Sequence, residues 1–256
     1  MSFESSIVIV SLVLLFGMIA ASEIGRRLAR ARAARDPDGA GQGVGVIDGA
    51  VFGLLGLLVA FSFSGAASRF DARRSLVIQE ANAIGTAYLR LDLLPAGDQP
   101  GLRGSFRQYV DARLRAYDKL PDVVAARKEI DAANRIASAI WSSARSSAAG
   151  SQPATMLLLP ALNEMFDIAN TRTINATLHP PSIIYGMLFC LALASAVLGG
   201  YGMARSRSRN WLHVIGYAAV TAGAFYVILD IEHPRLGLIG VEAVDAALRD
   251  LRNSMN

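Results

Sequence analysis

The sequence is poor in the residues that carry chemistry. It holds one cysteine, Cys190, so no disulfide can form within the chain, and its place inside an apolar run makes a core thiol the expected role. The three histidines, His179, His213 and His233, are scattered at the edges of apolar runs. No HExxH, GxSxG or P-loop pattern occurs, so an enzyme is not expected and neither catalytic residues nor a cofactor are assigned. Asp230, Glu232 and His233 form the only cluster of metal-ligand types, but their spacing matches no zinc pattern. Interfacial charges ending a helix are the expected reading, and no metal is assigned. Strand-like alternation of useful length is also missing, which leaves an all-α fold.

Charge is scarce as well. At 18% charged and 53% hydrophobic, the chain is too apolar for an ordinary soluble protein and too charged for one made only of membrane spans, so it needs both kinds of part. The net charge of +4 comes from arginines placed beside apolar runs, where topology and lipid head groups favour positive charge. Nucleic acid is not implied; membrane lipid is the expected surrounding.

What the chain does have is long apolar runs. The spacing of charges predicts four spans, 5–22, 46–65, 183–201 and 211–229. At about 1.5 Å per residue, each is close to the about 30 Å of hydrocarbon it must cross. A signal peptide at the start would need a basic first stretch, and Met1 to Ser6 offers only Glu4. Five arginines, Arg26, Arg27, Arg30, Arg32 and Arg35, follow the first span, and a glycine-rich turn, Gly39 to Gly45, leads into the second. Arg205, Arg207 and Arg209 join the third span to the fourth.

The second span organises the rest, because it runs without a breaker into a charged amphipathic helix that ends near Asp92. Its small residues Gly49, Gly53, Gly56 and Ala60 share a stripe suited to close helix packing. Leu54, Leu57, Leu58 and Phe61 make a bulky face. A third face carries Phe52, Leu55, Val59 and Ser62, at about 300°, 240°, 280° and 220° from Gly49 at about 100° per residue. Asp48 lies on the same side near the span end, as an interface anchor. This third face is either a buried contact or the wall of a pore. Arg69 and Arg73 follow it at about 200° and 240° and are candidates for a cationic mouth that attracts anions. Phe70, Val77, Ala81, Ile84, Tyr88 and Leu91 then recur at heptad-like spacing.

Residues 66–182 read as an extramembrane antiparallel helical bundle inserted between spans two and three. Pro95 to Pro100, Pro121 and Gly150 to Pro153 separate its helices. One helix shows Phe106, Val110, Leu114 and Tyr117 on a face, the next Ile130, Ala133, Ala137 and Ile140, and the last Met156, Leu159, Met165, Phe166 and Ala169, with a kink expected at Pro160. The predicted organisation is a transmembrane hairpin over 1–65, the helical domain over 66–182, and a second hairpin with a C-terminal amphipathic helix, Val241 to Leu251, over 183–256. The two short loops hold eight arginines against five on the other side, a balance that places both termini and the helical domain outside the cytoplasm.

Several stretches together resemble a known family. Val51-Phe-Gly-Leu-Leu-Gly-Leu-Leu-Val-Ala-Phe-Ser-Phe-Ser64, Arg73-Arg74, Glu80-Ala-Asn-Ala-Ile-Gly85 and Leu89-Arg-Leu-Asp-Leu-Leu94 are similar to the bestrophin-like domain family of bacterial integral membrane proteins. Tyr109-Val-Asp-Ala-Arg113, His179-Pro-Pro181 and Pro234-Arg-Leu-Gly-Leu-Ile239 extend the likeness over most of the chain. By distant analogy with bestrophins, the resemblance implies a pentameric anion channel whose second span lines an apolar neck and whose helical domain is cytosolic, opposite to the arginine balance. Phe61 and Phe63, two residues apart, fall on different helix faces and cannot both line one neck. No calcium clasp of the bestrophin kind is present.

The expected function is an oligomeric ion channel, favouring anions, with an apolar gate on span two, in a multi-pass protein of the bacterial inner membrane. The alternative is a membrane-anchored sensor or assembly protein whose helical domain binds a partner. Ions and further copies of the chain are the expected partners.

Overall fold

The computed structural model describes residues 3–35, 44–205, 210–233 and 242–255. Among them every regular element is helical. The helices are α1 (Phe3–Arg35), α2 (Val44–Leu89), α3 (Gln99–Asp118), α4 (Val123–Ala148), α5 (Gln152–Thr177), α6 (Ser182–Gly202), α7 (Trp211–Glu232) and α8 (Glu242–Ser254), and a 3-10 turn at Arg90–Leu93 closes α2. Four stretches are long and apolar enough to cross a membrane: in α1, in α2, in the run Gln152–Gly202 and in α7. Gly39 to Gln42, Arg207, Arg209 and Pro234 to Val241 lie outside the described residues.

The chain divides into two compact units, one of residues 1–69 and 179–233, the other of residues 70–178 and 234–256. In the first unit α1 packs closely on α6 and α7. Leu14 and Met18 of α1, Leu188 and Ala192 of α6, and Ala218 and Phe225 of α7 form its core. Two glycines set the distance between α1 and α6. A Cβ on Gly25 would overlap the Val197 carbonyl, and one on Gly200 would overlap the Ser22 backbone. Only glycine lets the two backbones touch at both places. Cys190, expected in a core, is exposed on α6 instead, because the buried side of that helix is taken by Leu188, Ala192, Ser195 and Ala196.

In the second unit Val77, Ala81, Ile84, Tyr88 and Leu91 are buried, so the heptad-like stripe of α2 does face a core. Phe106, Tyr109 and Val110 of α3, Ala133 and Ile140 of α4, and Leu158, Leu162 and Met165 of α5 complete it. The helices begin where local chemistry satisfies their free amides. Asp122 accepts from the Val124 and Ala125 amides at the start of α4. Ser151 does the same for Ala154 in α5, with Pro153 in its first turn. Pro160 lies inside α5, which continues past it. Met156 is exposed, because Ala154 and Leu158 occupy the inward positions on either side of it. Helix α8, grouped with the second membrane hairpin on sequence, packs on α3 in this unit with Leu248 and Met255 buried. Its Arg252 holds Asp111 through both carboxylate oxygens, at 2.7 and 3.1 Å.

Candidate functional site

Within the first unit the part of α2 up to Arg69 packs chiefly through its side chains. The side that meets the rest of the unit is the third face of the sequence reading. Leu55 is buried, Val59 packs against the same core, and Phe52 sits edge to face on Tyr217, with ring centroids 5.6 Å apart. Ser62 is half-buried on the same side. Three of the four candidate pore residues therefore make contacts inside the chain. Asp48 shares this side; its Oδ1 is buried without a hydrogen bond to any described residue.

The opposite side of α2 is open. Gly49, Gly53 and Gly56 have nothing within 4 Å of where a Cβ would stand, so among the described residues these glycines make no close packing. Ala60 is exposed beside it. Leu57 and Phe61, one helical turn apart, are 51% and 65% exposed.

Arg69 and Arg73 are placed by partners more than 100 residues away. Arg69 donates through Nε at 2.7 Å, and again through Nη2, to Oε1 of Glu232, whose side chain is fully buried at the end of α7. Glu232 also lies 3.9 Å from Nδ1 of His179, and His179 stacks on His233 with ring centroids 4.5 Å apart and planes within 16°. The positive charge of Arg69 is thus largely cancelled. In the second unit Arg73 donates to the carbonyls of Asn175 and Leu178, at 3.3 and 2.9 Å, where α5 ends. A guanidinium there satisfies carbonyls that the helix leaves unpaired and meets the negative end of its dipole. Both arginines, the candidates for a cationic mouth, thus have partners within the chain. Asp230 and Glu232 are buried and His233 is half-buried, but among the described residues no group of three or more metal-ligand side chains is arranged around one point.

The second unit has a buried ionic cluster that sequence reasoning missed. Glu80 of α2 accepts from Arg113 of α3 at 2.7 Å and from Arg172 of α5, and Arg172 lies 3.5 Å from Asp245 of α8. All four side chains are buried. Burial pushes the Glu80 carboxyl up, but the Arg113 and Arg172 guanidiniums outweigh it and hold it below the ordinary value of 4.5. Burial pulls Arg113 down, and Tyr117 and Glu80 beside it hold it above its usual value. Arg172 also stacks over the Tyr117 ring at 4.3 Å. Two positive and two negative groups from four helices cancel here, which is the chemistry of a structural core and not of an ion site. The signal was in the periodicity: Glu80 sits three residues after Val77 and four before Ile84, on the buried stripe itself.

Comparison with known proteins agrees with this architecture. Residues 13–246 match the model of a family described as Bestrophin-like domain. A crystal structure of a bacterial bestrophin homologue from Klebsiella pneumoniae, solved with a mutation, is similar to this chain with a TM-score of 0.73 and 15% identity. The likeness covers 98% of this chain and 97% of that one, and at this identity it speaks for the fold alone. No curated protein matches the sequence. The family match takes in α2 from end to end together with Arg69, Glu232 and the cluster around Glu80, and the chain belongs to the Bestrophin-like domain family.

Proposed function

We propose that the chain is one subunit of an oligomeric, ion-conducting membrane protein in which copies meet along α2. The observation that carries this reading is the one-sided packing of that helix. Its third face is in contact within the chain, while Gly49, Gly53 and Gly56 meet no described residue and Ala60 is exposed. In lipid, a small stripe gains most from the close approach of another helix, and a further copy of the chain supplies one. Leu57 and Phe61 flank that stripe and stay exposed. If several copies gather there, these two side chains form an apolar ring that closes by dewetting, which moves the gate on span two from the Val59 face to the Phe61 face.

Selectivity for anions follows from the bestrophin analogy more than from Arg69 and Arg73, whose charges have structural partners. The spans would hold the protein in the cell membrane as a multi-pass protein, with a first hairpin over 1–65, a helical domain over 66–182 and a second hairpin after it.

Recording on purified protein in planar bilayers tests the proposal. Phe61→Ser is expected to raise basal conductance, and Val59→Ser to change stability while leaving conductance alone. Absence of current from the wild type across salts and potentials would favour the second reading, a membrane-anchored sensor or assembly protein, which draws on an open seam between α4 and α5.

A further inference from the structure

In the second unit α4 and α5 part along one side and leave an open cavity of about 640 Å³. That lies within the about 300–1,000 Å³ usual for small-molecule sites. Its walls mix polar side chains with apolar surface. Helix α4 brings Asn134, Ser138 and Trp141; α5 brings Asn163, Phe166 and Asn170. On each helix these recur every three or four residues, so each set forms one stripe. The stripes put three carboxamides and two aromatic faces around one space.

The hydrogen-bonding capacity of this space is unspent. Ser138 and Thr173, both in the wall, donate to main-chain carbonyls of their own helices. The three carboxamides make no hydrogen bond to any described residue, and each can donate twice and accept. Tyr109 of α3 also lines the cavity. It is only 1% exposed. Burial also raises the Tyr109 phenol above its usual range, so at neutral pH it is a donor.

Charge is nearly absent from the same walls. Arg127 at one end lies 3.6 Å from Asp131, and no carboxylate contributes to the lining. A phosphate or carboxylate would find little to balance it, and an amine would find nothing. Trp141 and Phe166 are half-buried and offer flat apolar surface beside the amides.

We propose that this groove binds a neutral, hydroxyl-rich small molecule of the saccharide class, its hydroxyls paired with Asn134, Asn163, Asn170 and Tyr109 and one ring face laid on Trp141.

The chain contains two tryptophans, Trp141 and Trp211, so Trp211→Phe leaves Trp141 as the only indole reporter. The full-length variant in lipid nanodiscs, which avoid sugar-headed detergents, is titrated with glucose, N-acetylglucosamine and sucrose, and with gluconate as the charged control. A saturable change in Trp141 emission with at least one neutral sugar is expected, weakened about 10-fold by Asn163→Leu and by Asn170→Leu. Both positions are exposed, so melting temperature should hold. The proposal is overturned by no saturable change with any of the three sugars, by an equal response to gluconate, or by affinities that both asparagine variants leave intact. It also falls if Trp141 is shielded from acrylamide in the assembled protein, since a neighbouring copy would then fill the groove.

Discussion

Phe52 of α2 meets Tyr217 of α7 edge to face, their ring planes at 84°, and Tyr217 shares a 2.7 Å hydrogen bond with Ser195 of α6. One aromatic side chain therefore joins α2 to two other helices through contacts that have definite directions. An edge-to-face pair is worth about 1 kcal/mol beyond burial, and truncating a large packed side chain costs more. Phe52→Ala is expected to lower stability by about 2 kcal/mol and to leave single-channel conductance unchanged. Thermal unfolding in nanodiscs beside bilayer recording checks both halves, and a rise in conductance at unchanged stability would return Phe52 to a pore wall.

The two kinds of glycine in the spans should respond differently. Gly200→Ala places a methyl group into the Ser22 backbone and is expected to unfold or loosen the single chain. Gly53→Leu meets open space within the chain and should leave its melting temperature alone while disrupting assembly. Size-exclusion and cross-linking profiles separate the two. Equal loss of folded subunit in both variants would place the small stripe of α2 inside the subunit.

The Glu80 cluster predicts acid sensitivity with a definite sign. The folded carboxyl is held below the ordinary value of 4.5, so the unfolded chain takes up the proton first as pH falls. Its contribution is fully present above about pH 4.5 and disappears as pH drops through the depressed folded value. Glu80→Gln should lower stability at neutral pH and flatten the acid limb, because two buried guanidiniums lose their shared anion. Unfolding followed through Trp141 at stepped pH checks this. An acid limb as steep in the variant as in the wild type would show that other carboxylates govern it.

Much of the helical layout can be read from the sequence because it depends on local signals. Val123, after Pro121 and Asp122, starts α4, and the stripe from Val77 to Leu91 is buried as its spacing predicts. Partners distant in sequence are another matter. Nothing near Arg69 announces Glu232, and nothing near Arg73 announces the end of α5, so the partners of these two arginines are not legible in the sequence. Angle separates the faces of α2, but periodicity does not say which face meets the chain's own helices, and Leu58 of the bulky face packs against the same core as Leu55 and Val59. Size decided it: Phe52 and Leu55 can reach across to α6 and α7, and glycine cannot.

Arg69 and Glu232 should behave as a coupled pair. Arg69→Gln leaves Glu232 buried without its main countercharge, a change expected to cost about 2 kcal/mol, less than a fully enclosed pair because Arg69 is partly exposed. Adding Glu232→Gln should recover most of that loss. A double-mutant cycle by thermal unfolding measures the coupling, and strictly additive losses would show that the two side chains act independently.

Topology is the remaining test, since the arginine balance and the bestrophin analogy give opposite answers. If the helical unit is cytosolic as the bestrophin analogy implies, then in a Cys190→Ala background Asp98→Cys resists a membrane-impermeant thiol reagent in intact cells. Gln42→Cys and Arg207→Cys should react. The reverse pattern would put the helical unit outside the cytoplasm, as the arginines alone imply.

The cluster around Glu80 also has a meaning in time. Its members arrive from the ribosome in the order Glu80, Arg113, Arg172 and Asp245, the last of them on α8. A nascent chain that has reached only α5 carries two guanidiniums for one carboxylate in what must become its interior. The second unit cannot close at electrical neutrality until α8 has been made, and a message truncated before Asp245 would yield a subunit whose centre is still positively charged.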